Sequence, residues 1–125
     1  MILNNKKGEL TQMNPKYFKD KIFAELNASY EYIKLSIDAL KIDSKWSESF
    51  KIMSDDRYKH AMELYKMFMQ LYTKSKEHDA YMNSIRDAII ETFASQTQKI
   101  DGYKATYDLI VEDNGEVSNG QNSTE

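Results

Sequence analysis

Glu25, Asp56, Arg57, His60 and Gln96 are the residues of this chain whose types and placement could do chemistry. Asp56 and His60 stand four apart, one helical turn, so a single cation shared with Glu25 is one arrangement their chemistry permits. The absence of cysteine excludes a disulfide scaffold, a thiolate zinc site, an iron–sulfur cluster and a cysteine nucleophile. The two histidines, His60 and His78, have no nucleophile-elbow motif to serve. His78 falls in a polar turn and receives no role. Gly8, Gly102, Gly115 and Gly120 are isolated, so no phosphate-cradling loop is present.

Three helical segments must position these groups. Asn14-Pro15 is a helix start, the Asn capping and the proline suiting the first helical position. Phe18, Ile22, Leu26, Ile33 and Leu40 then recur at helical intervals to about residue 41, with Phe23, Tyr30 and Ile37 as a neighbouring row. Asp43-Ser44 caps a second helix, whose cleanest stripe is Trp46, Phe50, Met53, Arg57, His60, Leu64, Met67 and Leu71, read as its inner face. A second row, Tyr58, Ala61, Tyr65, Phe68 and Tyr72, lies roughly 100° round it. Tyr58, Tyr65 and Tyr72 are assigned to an interaction surface; the alternative is packing on another helix of the same chain. After the polar turn at 75–79, a third stripe runs through Met82, Ile85, Ile89, Phe93, Gln96, Ile100, Tyr103, Tyr107 and Ile110. Asp113-Asn114-Gly115 reads as its stop.

The expected architecture is all-α: an antiparallel up-down-up bundle of three helices, each about 40–50 Å long. Residues 1–13 are expected to be a flexible segment, 14–113 the bundle and 114–125 a disordered polar tail. With 125 residues, one domain is expected. A net charge of −3 gives no electrostatic reason to expect nucleic acid. No apolar run is long enough for a membrane span, and no signal peptide is read, so a cytoplasmic or virion-associated protein is expected. By height along the three segments, Glu25 with Ser29, Arg57 with His60, and Gln96 fall in one central polar layer. Such layers are metal sites, registry devices or catalytic sites.

The segment Phe23-Ala24-Glu25-Leu26-Asn27-Ala28-Ser29-Tyr30-Glu31-Tyr32 resembles the first-helix signature of the rubrerythrin branch of ferritin-like proteins. Arg57-Tyr58-Lys59-His60-Ala61 resembles its Glu-x-x-His-Ala motif, and Phe93-Ala94-Ser95-Gln96 with Tyr103 resembles a repeat of the first helix. The resemblance implies a ferritin-like bundle with its fourth helix missing, in which Glu25, Arg57, His60 and Gln96 stand at vestigial metal-ligand positions. The motif Glu is replaced by Arg57 and the third-helix Glu by Gln96. On this reading Arg57 substitutes for the metal and pairs with Glu25, while His60 and Gln96 take up the remaining hydrogen bonds.

No cofactor and no catalysis are therefore expected. The chain reads as a structural or interaction protein, such as a phage virion or assembly component, acting through a protein partner or as a homo-oligomer. One alternative is a rubrerythrin-like protein binding iron or manganese in an atypical site. A second is a small regulatory binder of a host protein.

Overall fold

The computed structural model describes residues 14–124, with side chains described to Asn114. Residues 1–13 and the side chains of the 115–125 tail lie outside the described residues. The chain forms α1 (Pro15–Ala39), α2 (Ser44–Lys74) and α3 (Ala80–Thr124), and no strand occurs among the described residues. The order is up-down-up, as the composition and stripes require.

Each helix begins on a side-chain cap. Asn14 Oδ1 accepts from the Tyr17 amide at 2.8 Å, and Pro15 follows at the first helical position. Asp43 accepts from the amides of Lys45 and Trp46 at 2.8 and 3.3 Å. Asp79 accepts from the Met82 amide at 2.8 Å. α3 is helical through Thr124, so Asp113-Asn114-Gly115 does not end it. At 45 residues α3 is about 65 Å long, beyond the expected length, and outruns α1 and α2.

α1 is the central helix: its backbone approaches both α2 and α3 closely, whereas α2 and α3 meet through long side chains. Phe18, Ile22, Leu26 and Ile33 are buried, as are Ile85, Ile89 and Ile100 of α3. On these two helices the predicted stripes are the core.

On α2 the predicted inner stripe is corrected. The buried residues of α2 are Ser47, Ser54, Ala61 and Phe68, spaced by seven. Trp46, Met53, Met67 and Leu71 of the expected stripe are exposed instead. The physical reason lies in the α1–α2 contact. Ser29 Oγ donates to the Ser54 carbonyl at 2.9 Å, and Ser54 Oγ donates to the Ser29 carbonyl at 2.8 Å. One step along, Ser47 Oγ donates to the Ser36 carbonyl at 2.5 Å, and Ser36 Oγ donates to that of Ile33 at 2.7 Å. These buried hydroxyls are satisfied by backbone, and their small size lets the two helices approach closely. A polar seam of small residues therefore wins the interface, and α2 is rotated by about one residue, roughly 100°, from the apolar reading.

Candidate functional site

Glu25 is 7% exposed, at the α1 edge of the α1–α2 interface. Its Oε1 accepts from Arg57 Nη1 at 2.7 Å, and its Oε2 accepts from His60 Nδ1 at 3.0 Å. Arg57 and His60 come from successive turns of α2, which presents them side by side to one carboxylate. Both are largely exposed, so the group is a buried carboxylate held by two basic side chains at its solvent edge. The hydrogen bond from Arg57 to Glu25, then the charge of Glu25, raises the guanidinium above its ordinary value. His60 and Arg57 line an open groove of about 320 Å³ with Tyr32, Met53 and Asp56.

The central layer is thus narrower than the sequence suggested. Gln96 is half-buried on α3, which packs on the other flank of α1, and it does not join Glu25, Arg57 and His60. Both bonds of the Glu25 carboxylate go to α2, and no hydrogen bond joins it to Gln96.

The donor set does not fit a metal centre of the ferritin-like kind. Each oxygen of the Glu25 carboxylate already accepts from a cationic or imidazole nitrogen, and Asp56 lines the groove without bonding to Glu25, Arg57 or His60. No group of three or more His, Asp or Glu side chains capable of holding a cation converges among the described residues. The guanidinium is bonded to one oxygen of Glu25, and its charge opposes a cation there.

Tyr58, Tyr65 and Tyr72 are also corrected: their rings face α3 of the same chain. Tyr65 stacks on Phe93 with ring centroids 4.2 Å apart. Lys104 Nζ sits over the Tyr58 ring, 4.2 Å from its centroid. Burial, with the charge of Asp101 and a hydrogen bond to it, pushes the Tyr58 phenol up. Tyr72 donates to Asn83 Oδ1 at 2.5 Å and accepts from Arg86 Nη1 at 2.7 Å. The reason is the same rotation of α2: turning Ser47, Ser54 and Ala61 onto α1 carries the tyrosine row onto α3.

Two groups carry interactions that sequence reasoning missed. His78 stacks on the Tyr72 ring at 3.9 Å between centroids and donates from Nε2 to the Tyr72 carbonyl at 2.7 Å, closing the α2–α3 turn. Asp55 receives Lys104 and Lys51, each at 2.8 Å, and so ties α2 to α3. Partial burial alone would raise the Asp55 carboxyl, but the hydrogen bonds and charges of Lys104 and Lys51 outweigh it and hold it below its ordinary range.

The rotation leaves the Trp46-to-Leu71 stripe on the flank of α2 turned away from α3. Trp46 is 58%, Met53 43% and Met67 51% exposed. Phe50 and Leu64 are half-buried, and Tyr32 of α1 stacks beside Phe50 with centroids 6.3 Å apart. Tyr17 and Leu35 of α1 are exposed as well. No helix among the described residues is long and apolar enough to cross a membrane. Comparison with protein-family models, curated proteins and solved structures returned no match.

Proposed function

We propose that the protein is a non-catalytic interaction module that works by assembly through the outer face of α2. The carrying observation is the stripe Trp46, Phe50, Met53, Leu64, Met67 and Leu71. It spans 26 residues, about 39 Å of helix; Trp46, Met53, Met67 and Leu71 are exposed along it, while Phe50 and Leu64 are half-buried at its inner edge. Apolar side chains repeated along one helix face are the feature a partner helix recognises. The Glu25–Arg57–His60 group supports a non-catalytic role for the centre of that face: both oxygens of the buried carboxylate are taken up by Arg57 and His60.

The same three residues support descent from a ferritin-like bundle. A Glu and an x-x-His pair converge from neighbouring helices, with Arg57 standing where the family places a second carboxylate. A virion or another assembly is the setting such a scaffold suits, since its function would be carried by contact area.

The test is to replace Met53 and Met67 together by aspartate. The expected result is a helical circular dichroism spectrum like that of the parent protein, with loss of the higher-mass species that the parent forms alone or in cell extract. Identical masses for parent and variant on size exclusion with light scattering would overturn the assignment.

A further inference from the structure

We infer that the occupant of this face is a second copy of the chain, bound antiparallel about a two-fold axis crossing α2 between Tyr58 and Lys59. This inference rests on the assembly role proposed above and adds the partner, its direction and its register.

The stripe advances by four, three, four, three, four, three and four residues, so its members occupy alternating d and a positions of a heptad. That series reads the same from either end. Turned end for end, Trp46 meets the partner's Leu71, Phe50 meets the partner's Met67, and Met53 meets the partner's Leu64. Arg57 then meets the partner's His60. Apolar faces apolar at six positions of each chain and polar faces polar at the remaining two. An antiparallel seam pairs a with d, and every pair here obeys that rule.

Other alignments fail on charge. A parallel pair in register sets Arg57 against the partner's Arg57. A shift of one heptad places Arg57 or His60 against an apolar side chain and strands a polar group in the seam. In the antiparallel register each Arg57 keeps its own Glu25 at 2.7 Å, so the central layer brings two carboxylates to two guanidiniums. The layer therefore acts as a registry device, the use best attested for polar groups in helical seams.

The area is sufficient. The exposed parts of the stripe, Arg57 and His60 included, come to on the order of 600–700 Å² per chain, within the range of about 600–1,000 Å² per partner of a standard interface. Asp56 and Glu63 border the seam at the g positions and approach the partner's copies at the solvated rim. Added salt should screen that repulsion and tighten the pair.

The chain has no cysteine and one tryptophan, which makes the test clean. Sedimentation equilibrium of the full chain should give a dimer, and Trp46 emission should shift to the blue as the dimer forms. Met53→Asp should weaken association by about 100-fold or more without loss of helix content. Mixing Met53→Cys chains with Leu64→Cys chains under oxidation should give the mixed disulfide in preference to either self-pair. Met67→Cys with Phe50→Cys provides a second pair if one of these variants fails to fold.

A chain that is monomeric at about 100 µM overturns the inference. So does a dimer whose self-paired Met53→Cys disulfide outcompetes the mixed one, which would mean a parallel seam. The assembly reading survives a monomer that still binds another protein through Met53 and Met67, and fails only if aspartate at both changes no complex.

Discussion

Ser29 and Ser54 are joined by a reciprocal contact: each buried hydroxyl donates to the other residue's backbone carbonyl, at 2.9 and 2.8 Å. This contact fixes which side of α2 meets α1. It thereby decides that the tyrosine row faces α3 and that the Trp46 stripe faces outward.

Replacing Ser54 by leucine should destabilise the fold by about 1–3 kcal/mol, because a large side chain cannot fit where two backbones approach. The serine pair itself should be coupled: in a double-mutant cycle, Ser29→Ala and Ser54→Ala should interact by about 0.5–3 kcal/mol. Urea unfolding followed by circular dichroism measures both, and additivity would mean that the two hydroxyls act independently.

The Glu25–Arg57 pair is asymmetric, with the carboxylate buried and the guanidinium near water. Arg57→Ala should therefore cost more stability than Glu25→Gln, since the first leaves a buried carboxylate short of a partner and the second leaves a cation that water can solvate. Glu25→Gln alone should cost about 1 kcal/mol. Adding it to Arg57→Ala should recover part of that variant's loss, which thermal melts of the three proteins would reveal.

Tyr65 is held on Phe93, so Tyr65→Ala should lower stability by about 2–4 kcal/mol through lost ring packing. The native mass should stay that of the parent protein. A change in mass without a change in stability would return this residue to an intermolecular surface.

Asp55 supplies a pH dependence. Its folded carboxyl is held below its ordinary value of 3.8, mainly against burial, by Lys104 and Lys51. A depressed carboxyl contributes stability that is present above the unfolded value and is lost as pH falls through the folded one. Acid should therefore loosen the α2–α3 contact below about pH 4. Asp55→Asn should flatten the acid limb of a stability-against-pH curve.

Gly102 lies within α3, and a Cβ added there would meet nothing within 4 Å. Gly102→Ala should raise stability by about 0.5–1 kcal/mol through a less free unfolded chain, read as a higher urea midpoint.

Three helices, their direction, the N-terminal caps of α1 and α2 and the core faces of α1 and α3 were legible in the residue pattern alone, whereas the Asp79 cap and the far end of α3 were not. Local capping chemistry and apolar period suffice for what was legible, because Ile22, Ile33, Ile89 and Ile100 have no rival stripe of comparable strength on their helices. The sequence also brought Glu25, Arg57 and His60 into one list, since the spacing of an x-x-His pair is itself helical.

The phase of α2 was decided only in the tertiary structure. Three faces of that helix repeat at the same period: the Trp46 stripe, the tyrosine row, and the small residues Ser47, Ser54 and Ala61 between them. Periodicity reports a spacing and not which of several equally spaced faces is buried. The matching sevenfold spacing of Ser29 with Ser36 and of Ser47 with Ser54 was the available signal. Its meaning appears only when the two helices lie close enough for each hydroxyl to find the other's backbone. That choice separated Gln96 from Glu25 and left an apolar face of α2 on the outside.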